Sequence, residues 1–406
     1  MGRIVQKFGG TSVGDVDRIR HVATLVKRQI DAGDQVAVVV SAMAGVTNQL
    51  INLVRQVAPV HDAREYDAVV ATGECVTSGL VALALNELGL PARSWQAWQI
   101  PFRTDDAHGR ARILGVDTDT LEGRMAEGQV PVVAGFQGLG TDGRVTTLGR
   151  GGSDITAVAL AAALRADRCD IYTDVDGVFT ADPRIVAKAR KLDRITYEEM
   201  LEMASQGVKV LHTRSVELAM NKGVRLQVLS SFTGAPGTMV VDEGEIVEQQ
   251  VVSGIAYSRD EAKVTVVKVA DRPGVAARLF GPLAAAGINV DMIVQGASED
   301  GRTADLTFTV TKSDLGAALA AVERLKGDLG FTALVHDASV VKVSVIGVGM
   351  RSHAGVAAKM FQALADRGIN LQAISTSEIK ISVLIAEEYT ELALRALHAA
   401  YGLDAL

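Results

Sequence analysis

Short apolar runs recur through the first 240 residues: Ile4 and Val5, Gln35 to Ser41, Val130 to Ala134, Asp170 to Thr173, and Leu226 to Ser230. Runs of this length between turn formers predict buried strands. Between them the spacing turns helical. Val16, Ile19, Ala23, Val26 and Ile30 recur at intervals of three and four, predicting a helix over 15–30, and an Ala-rich stretch predicts another over 155–165. Strands alternating with amphipathic helices make an α/β sandwich out of Met1 to about Val240. The stretch Asp242-Glu243-Gly244-Glu245-Ile246-Val247-Glu248-Gln249-Gln250 breaks the pattern with acidic and polar residues and reads as a linker.

Beyond it the chain repeats itself. The segment from Arg272 to Ile293 matches that from His353 to Ile374 at 11 of 22 positions, at a constant offset of 81 residues. Each copy has a strand before it (Val264 to Val269; Val341 to Ile346), a strand after it (Thr303 to Val310; Lys380 to Ile385) and then an amphipathic helix. Two copies of βαββα are too few for a solenoid and predict a pair of small α/β modules packed side by side. Both copies carry Gly-Ile-Asn at the same place, a turn with a polar side chain that suits a ligand or an interface.

A chain of 406 residues that is 48% hydrophobic has enough apolar mass for two or three packed domains. No apolar run approaches the roughly 18 residues a membrane span requires, and strand-like sequence beginning at Ile4 leaves no room for a signal peptide. The expected compartment is the cytoplasm, with no membrane partner. Cys75 and Cys169 lack metal-ligand spacing and are expected to be core thiols. A net charge of −7 with mixed signs argues against nucleic-acid binding and favours small-molecule chemistry.

Two glycine-rich segments carry the candidate chemistry. Lys7-Phe8-Gly9-Gly10-Thr11-Ser12 follows the first strand. One reading is an anion cradle of bare N–H groups, a following helix N-terminus and the Lys7 charge; the other is a strand-to-helix turn whose glycines relieve crowding. Thr146-Thr147-Leu148-Gly149-Arg150-Gly151-Gly152-Ser153-Asp154 runs into the second helix. Ser153 or Asp154 could cap that helix, but a guanidinium between Gly149 and Gly151 is placed to fork onto a carboxylate. A third segment, Tyr172 to Arg184, follows a strand and is dense in turn formers and charge, as ligand loops at the carboxyl ends of α/β strands are; it reads equally as a solvated loop, and its acidic spacing does not fit an EF-hand.

Several classes are excluded. The chain has no Gly-x-x-x-x-Gly-Lys-Ser/Thr, so Lys7 is not part of a P-loop. Gly138-x-Gly140-x-x-Gly143 has dinucleotide spacing, but Arg144-Val145-Thr146-Thr147 after it is strand-like, which predicts a hairpin. No His-Glu-x-x-His, Gly-x-Ser-x-Gly or protein-kinase His-Arg-Asp set is present. Two glycine turns bearing a Lys and an Arg point to phosphoryl transfer involving a carboxylate.

Taken in order, Lys7-Phe8-Gly9-Gly10-Thr11-Ser12, Gly149-Arg150-Gly151-Gly152-Ser153-Asp154 and Thr173-Asp174-Val175-Asp176-Gly177 resemble the aspartate kinase family, and the C-terminal repeat resembles that family's tandem ACT modules. The resemblance covers essentially the whole chain. It implies a three-layer αβα sandwich of the amino-acid-kinase type over 1–241, a linker over 242–262, and ferredoxin-like ACT modules over 263–337 and 338–406. It also implies transfer of the ATP γ-phosphoryl to the side-chain carboxylate of L-aspartate, the opening step toward lysine, threonine and methionine. A carboxylate nucleophile is ionised at neutral pH, so positioning and charge neutralisation suffice. A catalytically inactive amino-acid sensor and another kinase of the same fold are the competing readings.

Carried over by position, the resemblance makes Lys7 and Asp154 catalytic. It places nucleotide at Lys7, Phe8, Gly9, Gly10, Ser41, Thr173, Asp174, Phe179, Thr180, Ala181, Asp182, Pro183, Arg184, Lys209 and Val210, with Thr11 lining the same pocket. Aspartate would meet Thr47, Glu74, Arg150, Gly151, Gly152 and Ser153, with Glu74 on its ammonium and Arg150 on its α-carboxylate. Magnesium would arrive on the ATP phosphates rather than in a protein cage. Inhibitory lysine or threonine would bind at Asn289, Val290, Asp291 and Gln295 in the first module and at Leu371, Gln372 and Glu378 in the second. Where some relatives carry a hydroxyl after Gly355-Val356, this chain has Ala357. The resemblance further implies a homo-oligomer, or assembly with a shorter regulatory chain, through ACT pairing, and no homoserine dehydrogenase extension.

Overall fold

The computed structural model describes residues 2–208, 210–246, 251–297 and 301–405. The chain forms two units: Met1–Val178, Lys191–Ala204 and Lys209–Val247 make the first, and Phe179–Arg190, Ser205–Val208 and Glu248–Leu406 the second.

In chain order the strands of the first unit are β1 (Arg3–Phe8), β2 (Gln35–Val40), β3 (Ala92–Trp95), β4 (Phe102–Thr104), β5 (Ile113–Val116), β6 (Val130–Ala134), β7 (Gln137–Leu139), β8 (Val145–Thr147), β9 (Arg168–Thr173), β10 (Arg194–Thr196), β11 (Leu226–Ser230) and β12 (Thr238–Val241). Eight of them form one sheet in the order β10-β12-β11-β9-β1-β2-β6-β3. The five strands expected from apolar runs are the five contiguous central ones, β11 to β6, and they pair in parallel. Parallel strands covered on both faces need apolar residues at every position, which is why they stand out in the sequence.

The helices are α1 (Val16–Asp31), α2 (Val46–Val57), α3 (Ala63–Val70), α4 (Thr72–Glu87), α5 (Asp119–Ala126), α6 (Gly152–Ala163), α7 (Tyr197–Ser205) and α8 (Thr213–Lys222). Ile19, Val22 and Val26 of α1 and Val81 and Leu85 of α4 pack with Val36, Val38 and Val40 of β2. Ala37 and Val39 point the other way by strand alternation and are equally buried; α6 packs on β1, β2 and β9. The four remaining strands form a small sheet, β5-β4-β7-β8. Its antiparallel β7 and β8 make the hairpin expected around Gly143. One helical stretch, Ala63–Glu87, is long and apolar enough to cross a membrane by length and composition, unlike anything expected from the sequence. Its apolar content is accounted for by packing of α4 on α1, β3 and β6.

The second unit is built from β13 (Gly254–Ala270), α9 (Val275–Ala285), β14 (Asp291–Ala297), β15 (Thr303–Val310), α10 (Leu315–Glu323), α11 (Lys326–Leu329), β16 (Ala333–Ile346), α12 (Val356–Ala365), β17 (Ala373–Thr376), β18 (Lys380–Ala386) and α13 (Thr390–Ala400). The sheet runs β14-β15-β13-β16-β18-β17. Its two long central strands are shared. Residues 254–258 of β13 pair with 342–346 of β16, whereas the later half of β13 pairs with β15 and with 333–340 of β16. The second module therefore takes one of its strands, residues 254–258 of β13, from ahead of the first module in the chain. This corrects the sequence division, which put Gly254 to Ala262 in a linker. Polar Ser258-Arg259-Asp260-Glu261, where the register shifts, hides the strand from an apolar-run reading. Residues 247–250 of that linker lie outside the described residues.

Each module has its own core. Val264, Leu279, Leu283, Phe308 and Val322 anchor the first, and Val343, Met360, Leu364, Val383 and Leu394 the second. Phe308 is fully buried and meets Phe280 edge-on at 5.4 Å between centroids. Truncating such a ring leaves a cavity, so Phe308→Ala is expected to cost about 3–5 kcal/mol, measurable as a lowered urea midpoint.

Candidate active site

The carboxyl ends of β9, β1, β2 and β6 lie side by side, and the connections from β1 and β9 depart in opposite directions, the crevice where open α/β sheets bind ligands. At the end of β1, Gly9 and Gly10 do not open a helix. They form a tight turn in which Ser12 N donates to Gly9 O (2.9 Å) and Val13 N to Gly10 O (3.3 Å), and α1 begins only at Val16. The Asp15 side chain closes that helix end by accepting from Arg18 N. Any anion cradle here is made by the turn, not by the α1 N-terminus. Gly10 lacks room for a side chain, since a Cβ would lie 3.0 Å from Ala42 O.

Lys7, nearly buried, extends its ammonium to Asp154 Oδ1 at 2.7 Å. Asp154 lies in the first turn of α6, where the helix dipole favours a carboxylate. The capping alternative for Ser153 and Asp154 is not what the fold adopts: α6 starts at Gly152 from a left-handed Gly151, with no side-chain cap.

Gly149 and Gly151 flank Arg150 with φ of 77° and 71°. A Cβ on Gly149 would lie 3.0 Å from Gly109 O, and one on Gly151 would overlap His212. The Arg150 side chain between them is exposed. His212, unmarked in the sequence reading, caps α8 by accepting from Arg214 N through Nδ1. Burial lowers the pKa of its imidazole. Gly152 and Ser153 are buried at the start of α6.

Glu74 enters from the first turn of α4. Gly73 lets that turn sit against Ala42, where a Cβ would be 2.7 Å from the Ala42 methyl. Glu74 Oε1 accepts from Ala42 N at 3.1 Å, while Oε2 is buried without a hydrogen-bond partner among the described residues. Burial pushes this carboxyl up to about 7. An orphaned oxygen on a desolvated carboxylate is a place for a cationic ligand, since leaving it unmatched is costly. Ser41 follows β2 and Thr47 lies in the first turn of α2, both half-buried.

Thr173 and exposed Asp174 follow β9, where Thr173 O accepts from Ser231 N. Phe179 to Arg184 belong to the second unit. There Thr180 Oγ1 bonds His398 Nε2 at 3.0 Å, Ala181 joins the core of the second module, and Asp182 bonds Arg184 and Tyr257. The side chains of Thr180 and Ala181 are thereby consumed by packing. Val210 is half-buried before α8, and Lys209 lies outside the described residues.

Among the residues assigned to an effector, Asn289 is exposed and Gln295 Nε2 donates to Asp271 at 3.2 Å. Asp291 and Gln372 are already engaged by lysines: Lys342 Nζ lies 2.6 Å from Asp291 Oδ2 and 2.7 Å from Glu261 Oε1, and Lys263 Nζ donates to Gln372 Oε1 at 2.5 Å. Burial works against the charge on Lys342, yet the two carboxylates hold its pKa above the ordinary value. Asp291, assigned to an effector by the resemblance, is thus already matched by a lysine. Val290 and Leu371 pack on the two module cores. Glu378 is exposed and lies 3.5 Å from Arg351 Nε; with Met350, Arg351, His353, Ala357 and Thr376 it lines a cavity of about 540 Å³.

A lysine paired with a carboxylate at the sheet's carboxyl edge, an arginine held between two glycines and a desolvated carboxylate suit phosphoryl transfer to a carboxyl acceptor. The amino acid kinase family model matches residues 2–230, and ACT domain models match 263–327 and 343–401. The aspartate kinase Ask_LysC of Stutzerimonas stutzeri is 55% identical over 406 residues, covering 100% of this chain and 98% of that protein. E. coli aspartokinase III, solved with aspartate and ADP in the R-state, superposes with a TM-score of 0.81 at 29% identity, covering 98% of this chain and 99% of that one. The same enzyme with lysine and aspartate in the T-state gives 0.77 at 29% identity over 98% of each chain. The chain belongs to the aspartate kinase family, with an amino acid kinase domain followed by two ACT domains.

Proposed function

We propose that the protein transfers the ATP γ-phosphoryl to the β-carboxylate of L-aspartate, giving 4-phospho-L-aspartate and ADP, toward lysine, threonine and methionine. The observation that carries this reading is the pairing of two opposite needs in one unit: Lys7 on Asp154 for phosphate, and Glu74 with an orphaned oxygen for an ammonium. Glu74 holds the aspartate ammonium and Arg150 its α-carboxylate, which leaves the β-carboxylate free. One of its oxygens attacks the γ-phosphorus, the bond to the β,γ-bridging oxygen breaks, and the electron pair leaves on ADP. Lys7 and the Gly9–Gly10 turn neutralise the transferring group, which is most of what phosphoryl transfer asks of a protein. Thr173 and Asp174 bind nucleotide. Magnesium would arrive on the ATP phosphates and neutralise their charge, with Asp154 beside the reaction centre. ATP-dependent hydroxamate formation with aspartate but not glutamate tests the reading, and equal rates with both would overturn it.

The cavity of the second ACT module takes an end-product amino acid, with Glu378 on its ammonium. That E. coli aspartokinase III is solved in complex with lysine and aspartate in the T-state supports an amino-acid effector. Initial rates with lysine and threonine, singly and together, identify the effector. Glu378→Ala is expected to raise the half-inhibitory concentration by about 10-fold, the loss of one charge-assisted hydrogen bond, with uninhibited turnover unchanged; an unaltered inhibition curve would place the effector elsewhere. ACT pairing would assemble a homo-oligomer or a complex with a shorter regulatory chain, which light scattering resolves.

A further inference from the structure

Asp67 stands outside every assigned site, yet its carboxylate is enclosed by donors. It lies on α3 with no exposed surface. Four donors converge on it: His108 Nδ1 at 2.8 Å, Gly109 N at 3.0 Å, Thr147 N at 3.0 Å and Thr147 Oγ1 at 2.5 Å. A carboxylate only accepts, so Nδ1 of His108 carries the proton in that contact. Asp67 thereby ties together two loops distant in sequence, 106–112 and the end of β8. Ala111 N donates to Thr147 O at 2.9 Å, and Arg214 bonds both Leu148 O (2.5 Å) and Ala111 O (2.9 Å), joining the same two segments again.

Thr147 is two residues before Gly149, and Gly109 O is the atom that closes the space beside Gly149. The Asp67 platform is thus one wall of the slot that holds Arg150, and His212, against Gly151, is the other. We propose that Asp67, with His108, is a positioning residue for aspartate: it fixes the height and direction at which Arg150 leaves its loop. This rests on the assignment of Arg150 to the aspartate α-carboxylate. A bidentate guanidinium contact is sensitive to such placement, because a displaced fork loses both bonds together. Arg150 itself is exposed, so the fold imposes its direction through the backbone on either side.

Asp67→Asn keeps the shape but puts an NH₂ group against two or more of the four donors. Its KM for aspartate is expected to rise about 10-fold or more, with KM for ATP within about twofold of wild type, a split that general loosening of the unit would not produce. In an Arg150→Ala background the same substitution should change KM for aspartate less than about threefold, because the group it positions is gone. His108→Ala removes a single donor and serves if Asp67→Asn does not fold; its expected rise is about threefold, again confined to aspartate. Unchanged aspartate KM in active variants, or full additivity with Arg150→Ala, would overturn the positioning role. A wild-type chain with no aspartate-dependent turnover would instead overturn the substrate assignment on which it rests.

Discussion

Lys7→Ala is expected to lower turnover by about three orders of magnitude while the protein stays folded. Electrostatic stabilisation of the transferring group dominates phosphoryl transfer, and removing one preorganised donor costs about 100- to 1,000-fold. Lys7 supplies a full charge, so the upper end applies. The substitution also strips Asp154 of its 2.7 Å partner in a nearly closed setting, a loss on the order of 3 kcal/mol for a buried pair. Thermal unfolding should therefore shift down while circular dichroism remains native. Turnover within tenfold of wild type in a coupled ADP assay would remove Lys7 from the mechanism.

The second large effect concerns Glu74 and pH. Burial raises this carboxyl from 4.5 to about 7 in the folded protein, so the folded state holds its proton where the unfolded chain has released it. Below about pH 4.5 both states are protonated and Glu74 costs nothing. Between pH 4.5 and 7 stability falls as pH rises, and above about 7 the full penalty of about 3 kcal/mol is present. Glu74→Gln is accordingly expected to be more stable than wild type at pH 8 and no more stable at pH 4, as read from urea midpoints. An aspartate ammonium needs the ionised form. The wild-type kcat/KM for aspartate should rise about tenfold per pH unit below about 7 and level off above it. Glu74→Gln should raise KM for aspartate about 100-fold and flatten that step. A step of equal size in the variant would mean that another group titrates there.

Legibility in the sequence followed burial geometry. The five central strands were readable because they are covered on both faces and apolar throughout, and the C-terminal repeat because identical helices and turns recur at a fixed offset. A strand interrupted by polar residues was not: central β13 carries Ser258-Arg259-Asp260-Glu261, and its first half looked like linker. The glycine segments marked the candidate site, and the structure chose between readings that the sequence left open. Gly9 and Gly10 build a turn of their own, and the start of α6 is set by left-handed Gly151 rather than by a Ser or Asp cap.

Asp67 and His108 were invisible for a further reason. Arg64-Glu65-Tyr66-Asp67 has the composition of any solvated helix face, and only the convergence of four donors from two remote loops distinguishes one of its acids. The same holds for Asp291, an acid in a suggestive position whose carboxylate is matched by Lys342 from another strand. Local pattern and residue type determined the sandwich, the repeated modules and the class of chemistry, because periodicity and backbone freedom are properties of neighbouring residues. The tertiary structure alone decided which charges are satisfied and which remain open. Desolvation and hydrogen bonding depend on what long-range packing brings within 3 Å, as the paired Lys7 and Asp154 and the orphaned oxygen of Glu74 make plain.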